Sequence, residues 1–302
     1  LPARSRPGMP PLVVDVEELS VVSPLLFVKL GGSLITDKRR PSTPRLTVIR
    51  RLAHELHAVM QASPAPRVLL GHGSGSFGHW EASQYGTRNG VETSEGWNGF
   101  ARVSAAALEL NRLVTKSFSE AGVPVLSLQP AASVRAQGGT IASLALDPIL
   151  RALDHGLVPL VFGDVAFDEV LGGTILSTED LFVYLAPALM PEWIILLGNA
   201  PGVLAGEYET IPTITPSTYP SLKEHLRRSG YTDVTGGMAD KVERMVDLVI
   251  RMPHLRVRIM SGTQPHHLEE ALLDPENCGH GTVIRATAVP GAAPGGVMPP
   301  GL

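Results

Sequence analysis

The chain has 302 residues, 44% of them hydrophobic and 18% charged, with a formal net charge of −4; that is enough for one large α/β domain or two lobes sharing a sheet. The acidic balance argues against a nucleic-acid partner, and the single cysteine, Cys278, excludes an internal disulfide and a cysteine-based metal cluster. No apolar run approaches the ~18 residues that span a membrane, and residues 1–18 lack the apolar centre of a signal peptide, so a cytoplasmic location with no membrane partner is expected.

Residues 1–23, with Pro2, Pro7, Pro10 and Pro11, are expected to form a flexible arm. The first buried strand is predicted over 25–30; it carries Lys29 near its end and runs into the turn Gly31-Gly32-Ser33. A helix follows over 43–61, with Thr43 as N-cap, Pro44 at N1 and a stripe of Leu46, Ile49, Leu52, Ala53 and Leu56. The second strand, 67–71, leads into Gly71-His72-Gly73-Ser74-Gly75-Ser76-Phe77-Gly78-His79. A long helix is predicted over 98–121, closed by Gly122, then a strand over 123–128. A helix over 146–154, closed by Gly156, precedes a strand over 157–162. Residues 163–177 read as a hairpin with Gly172-Gly173 at or near its turn, and Ser177-Thr178-Glu179-Asp180 opens a helix as a capping box. A lobe division falls near 190. Beyond it come a strand over 193–197, a Gly- and Pro-rich connection over 198–216, helices over 238–252 and 266–273, and a strand over 256–260. The Ala-, Gly- and Pro-rich tail 286–302 is expected to be disordered. The strands are apolar on both faces, as parallel strands covered by helices should be. The pattern predicts an α/β fold, a three-layer αβα sandwich with a mainly parallel central sheet, with lobes 24–190 and 191–285.

The glycines and serines of 71–79 let the backbone approach a ligand and aim N–H groups at it, which suits a phosphate. His79 adds a side chain that can hydrogen-bond that phosphate. The Gly31-Gly32-Ser33 turn is a second such loop, and two phosphate-friendly loops suggest a transfer between two phosphates. The GxGxxG spacing of Gly73–Gly78 also fits a dinucleotide fingerprint, but it follows the second strand rather than the first, and no Gly-Lys-Ser/Thr P-loop is present. Lys29 lies at the carboxyl edge of a parallel sheet, where ligands bind in open α/β folds; the alternative is a solvated strand end. Lys38, in Asp37-Lys38-Arg39-Arg40, reads equally as part of a solvated basic face. Lys241 follows Gly236-Gly237-Met238 at a helix start, where anions are attracted. Asp164, after Gly163, either orients a lysine or ion near phosphates or caps a turn. Asp180 is also explained as N3 of the capping box, and His72 as a structural histidine ending its strand.

Taken in order, Lys29-Leu30-Gly31-Gly32-Ser33 with Thr36-Asp37-Lys38, the loop from Gly73 to His79, Gly163-Asp164-Val165, Ile175–Asp180, and Asp233–Met238 with Lys241 resemble the amino-acid kinase superfamily, and within it the isopentenyl phosphate kinases. The similarity spans roughly residues 25–285. The chain departs from the family pattern at Ser74, at Trp80 after the histidine, at Ser177-Thr178-Glu179-Asp180 and at Leu197–Val203. The resemblance implies ATP-dependent phosphorylation of isopentenyl phosphate, with His79, Lys29 and Lys38 as catalytic residues. It implies Gly73, Ser74, Gly75, Ser76, Gly163 and Asp164 at the acceptor. It implies Lys29, Gly31, Gly32, Ser33, Asp180, Gly236, Gly237 and Lys241 at the nucleotide. ATP with Mg²⁺, a small phosphate substrate and a homodimer follow from the same resemblance. A fosfomycin-type phosphonate kinase and a non-catalytic nucleotide-binding protein are the rival readings. An isoprenoid acceptor needs an apolar tunnel, and Ala105, Ala106, Leu108 and Val114 on the 98–121 helix are candidates to line it.

Overall fold

The structure is a computed structural model and describes residues 23–206, 209–228 and 237–287. The arm read over 1–23 and the tail over 286–302 lie almost wholly outside these residues, as does Gly236. The first half runs β1 (Leu25–Leu30), α1 (Gly32–Ile35), α2 (Leu46–Met60), β2 (Arg67–His72), α3 (Gly75–Tyr85), α4 (Ser94–Glu120), β3 (Val125–Ser127), β4 (Val134–Gln137), β5 (Thr140–Leu144), α5 (Asp147–Asp154), β6 (Val158–Phe162), β7 (Asp164–Asp168) and β8 (Gly172–Leu176). The second half runs α6 (Thr178–Leu189), β9 (Trp193–Gly198), β10 (Thr213–Ile214), α7 (Tyr219–Arg228), α8 (Gly237–Arg251), β11 (Arg256–Ser261), α9 (His267–Leu273) and β12 (Thr282–Ile284).

Eight strands form the central sheet in the order β10-β12-β11-β9-β1-β2-β6-β3, parallel except for the β11–β12 pair. Alternate residues of β1 supply opposite faces. Leu25 and Phe27 join the core under α5, α6 and α8, while Leu26, Val28 and Leu30 join the core under α2, α4 and α9. This is the expected three-layer sandwich. Because β9 pairs with β1, the segments before and after residue 190 share one sheet. A second sheet, β5-β4-β7-β8, lies beside the first; its Val165 packs with Val91, Phe100 and Val103 of the loop before α4 and of α4 itself.

Several boundaries differ from expectation, each for a local reason. Helix α2 begins at Leu46 behind Arg45 with no side-chain cap; Thr43 is not its N-cap, because the Thr43 hydroxyl donates to Pro41 O (2.9 Å) and its N–H donates to Ser76 Oγ (3.2 Å). Helix α4 starts at Ser94, four residues before the predicted 98, because the Thr93 hydroxyl caps it by accepting from Gly96 N (3.1 Å). The strand read over 123–128 shrinks to β3 at the sheet edge, and Leu126 there is 40% exposed, so it is not covered on both faces. The turn of the β7–β8 hairpin comes before Gly172, which begins the return strand at φ +71°. The capping box at Ser177 is formed as read. Helix α3, the β4–β5 hairpin, and the elements β10, α7 and β12 were not anticipated.

Candidate active site

The chain turns inward where β1 lies between β2 and β9, the point at which strand order runs to opposite sides of β1 and ligands bind in open α/β sheets. Gly31 N donates to Leu197 O (2.8 Å) and Gly73 N donates to Leu30 O (3.0 Å), so the two glycine turns are tied to neighbouring strand ends. They also touch each other. A Cβ on Gly32 would sit 2.6 Å from Gly75 Cα, and one on Gly75, which has φ +52°, would sit 2.2 Å from Thr36 Oγ1. Only hydrogen fits at this crossing. Thr36 locks it by accepting from Ser76 N (2.9 Å) and donating to Gly32 O (2.6 Å).

Over this crossing lies a cleft of about 970 Å³. Its floor is Lys29, Gly31, Gly32 and Ser33 from β1 and α1, facing Gly73, Ser74 and Gly75. His79 stands on the same wall because the glycine loop does not end as a loop: it continues as α3, which carries His79 and Ser83 one turn apart. Lys38 reaches the cleft from the basic run, whereas its neighbour Arg39 is occupied by Asp37 (3.0 Å) and holds that carboxyl down at about 2. Gly163, Asp164, Gly237 and Lys241 complete the predicted residues that line it.

Two predicted residues lie elsewhere. Ser76 is buried behind the loop, its hydroxyl held by Thr43 N. Asp180 is off the cleft wall. Its Oδ2 accepts from Ser177 N (2.8 Å) and Ser177 Oγ (2.7 Å), and its Oδ1 pairs with Arg244 of α8. His72 is also absent from the cleft. It is fully buried, stacks on Phe162 at 5.3 Å and bonds Asn111 Oδ1 at 3.2 Å, and burial lowers it to about 4. It is the structural histidine that its alternative reading described.

The residue that sequence reasoning missed is Glu179. Once Asp180 folds back as N3 of the capping box, the preceding acid, at N2, faces the cleft, where its carboxylate pairs with Lys29. Burial alone would push Glu179 up, but attraction to Lys29 and Lys241 overcomes it and holds the group at about 2. The signal was the pair of adjacent acids after a capping serine. Asp164 is the opposite case. It is buried, it accepts from Val165 N (2.8 Å) and Gln129 Nε2 (3.3 Å), and burial outweighs these bonds and raises it. Asp164 is a strand-start acceptor on the cleft wall.

Part of the cleft wall is apolar: Ala82, Val103, Ala107 and Ile175. Helix α4 does border the cleft, but through Val103 and Ala107 and not through Ala105, Ala106, Leu108 or Val114. Leu108 is 37% exposed, Ala105 is exposed, Ala106 packs against the core, and Val114 is in the core. The inward stripe of α4 runs through Val103, Ala107, Leu110 and Val114, and only its first turns reach the cleft. Among the described residues no three His, Cys, Asp or Glu side chains gather as a metal-ligand set.

Residues 24–261 match the amino acid kinase family. The isopentenyl phosphate kinase of Methanothermobacter thermautotrophicus is 31% identical over 286 residues, covering 88% of this chain and 99% of that protein. The isopentenyl phosphate kinase of Haloferax volcanii is 37% identical over 225 residues, covering 74% and 88%. An X-ray structure of isopentenyl phosphate kinase superposes with a TM-score of 0.71 at 27% identity, covering 86% of this chain and 99% of that one. A substrate complex of isopentenyl phosphate kinase gives 0.70 at 25% identity, covering 87% and 100%. By this family match and these relatives, the chain belongs to the amino acid kinase family and, within it, to the isopentenyl phosphate kinases.

Proposed function

We propose that this chain transfers the terminal phosphoryl group of ATP to isopentenyl phosphate, giving isopentenyl diphosphate and ADP. The observation that carries this reading is the joining, in one cleft, of the glycine turn and His79 on the α3 that continues it with an apolar wall at Val103, Ala107 and Ile175. The glycine loop and His79 suit the acceptor phosphate, and the wall suits a short hydrocarbon tail. The acceptor oxygen is already anionic, so no strong general base is needed. The demand is for positive charge and N–H donors around the moving group. Lys29 and Lys38 supply that charge, and Lys241 with the Gly31-Gly32 backbone would hold the ATP phosphates. Glu179 keeps Lys29 drawn toward the cleft until phosphate oxygens compete for it. Gly163 and Asp164 border the acceptor side, and Asp164, already engaged, shapes that wall rather than taking a proton.

Mg²⁺ would neutralise phosphate charge, and with no ligand cluster among the described residues it fits as an ATP complex held largely by phosphate oxygens and water. On this reading 24–190 is the acceptor half and 191–285 the nucleotide half. A homodimer goes with the family resemblance alone, and a cytoplasmic location with the sequence pattern; sedimentation and cell fractionation test them. No helix among the described residues is long and apolar enough to cross a membrane. The deciding experiment is ADP release with isopentenyl phosphate as acceptor. Turnover that depends on that acceptor supports the reading, and nucleotide binding without turnover returns the chain to the non-catalytic alternative.

A further inference from the structure

We propose that the Asp180–Arg244 ion pair is a clasp between α6 and α8 that holds Lys241 where the phosphates of ATP arrive, which makes Arg244 a positioning residue of the nucleotide half. This rests on the ATP-dependent reading above.

The two carboxylates at the start of α6 have divided tasks. Glu179 faces the cleft and engages Lys29. Asp180 is turned away from the cleft and fixed by its capping-box bonds to Ser177, so its Oδ1 is presented to α8 in one orientation. Arg244, which borders the cleft beside Lys241, takes that oxygen. Arg244 lies three residues after Lys241 on α8, so the two side chains rise from the same helix face. Fixing Arg244 to α6 therefore fixes the rotation and height of Lys241 above Glu179 and Lys29.

The two attachments respond differently to a nucleotide. The Glu179–lysine attraction competes directly with phosphate oxygens, because both seek the same ammonium groups. Asp180 is bonded to Ser177 and to Arg244, and its cap bonds hold it in place. The clasp therefore persists when ATP enters, while the lysines change partners. Arg244 and Asp180 are 40% and 21% exposed, so the pair is partly screened and its effect is moderate. An α8 released from α6 spends less time in the binding-competent position, and apparent affinity falls by that fraction.

The test is calorimetric titration with Mg-ATP, which needs no acceptor, together with KM values for ATP and isopentenyl phosphate. The variants are Arg244→Ala, Arg244→Lys, Asp180→Asn (which keeps the cap and removes the charge) and the Arg244→Ala/Asp180→Asn double variant. Each of Arg244→Ala and Asp180→Asn should weaken ATP about five- to tenfold. The KM for isopentenyl phosphate should stay within about twofold, the double variant should be no worse than either single one, and Arg244→Lys should recover most of the loss. Additive losses in the double variant would mean that Arg244 meets ATP directly, and they overturn the clasp. Unchanged ATP affinity, or an equal rise in both KM values, overturns it as well. A wild-type chain that binds ATP without phosphorylating isopentenyl phosphate defeats the proposed acceptor alone and leaves the titration decisive for the clasp.

Discussion

Replacing His79 with alanine removes an imidazole from the cleft but leaves the Gly32–Gly75 contact that shapes the loop. The expected outcome is a loss on the order of 10²-fold or more in kcat with an unchanged melting temperature, read by steady-state assay beside thermal denaturation. Near wild-type turnover would take His79 out of the mechanism. Lys29→Met should lower kcat far more than it raises the KM for ATP, because the charge it meets develops on the moving phosphoryl group; a defect confined to KM would mean uniform ground-state binding instead. His72 gives a prediction of a different kind. Its folded value of about 4 lies below its ordinary 6.5, so the unfolded chain binds its proton first as pH falls. The stability that comes from keeping it neutral is fully present above 6.5 and is lost as pH drops through about 4, up to about 3 kcal/mol in all. His72→Gln should flatten that part of the stability–pH curve, and a variant whose melting temperature falls as steeply as wild type between pH 6.5 and 4 would assign the slope to other groups.

Helix α4 shows what periodicity conveys and what it leaves open. Its apolar stripe and its closing Gly122 were legible, yet the face that meets the cleft was not, because every inward position of a long helix looks alike until neighbours are placed. Val103 and Ala107 lie there; Leu108 points outward. Ala107→Phe should therefore raise the KM for isopentenyl phosphate several-fold with the KM for ATP unchanged, and Val103→Ala should favour longer isoprenyl phosphates, by roughly 0.8 kcal/mol for each methylene newly buried. Leu108→Ala should change neither, and a shift in acceptor preference from Leu108→Ala would put the acceptor wall on the wrong face. Helix α3 was hidden for the opposite reason. Glycine and serine at its start disguise a helix as a loop, and only the packing of Phe77 and the Gly32–Gly75 crossing commit it. The capping box at Ser177 was legible because it is a contact within four residues. What that box implied for Glu179 was not, since the partner Lys29 lies on a strand 150 residues away.

The molecule as a whole puts its two glycine turns at the ends of two paired strands of one sheet, β1 and β2. Buried apolar strands announced that sheet, and their order then placed Lys29, the Gly31-Gly32 turn and the Gly73–Gly75 loop side by side without further instruction. Lys38 and Lys241 could not be placed in this way. One lies in a basic run that reads as surface, the other on a helix whose position depends on α6. The cleft so formed has one cationic region and one apolar wall, and this pairing separates an isoprenoid phosphate from a small polar phosphonate or a carboxylate. The decisive measurement is the relative kcat/KM for isopentenyl phosphate, dimethylallyl phosphate and fosfomycin under one set of ATP and Mg²⁺ concentrations. The account predicts isopentenyl phosphate ahead of fosfomycin by at least about a hundredfold, from the methylenes that the apolar wall buries. Equal values for the two would contradict it and leave a kinase whose acceptor is not an isoprenoid.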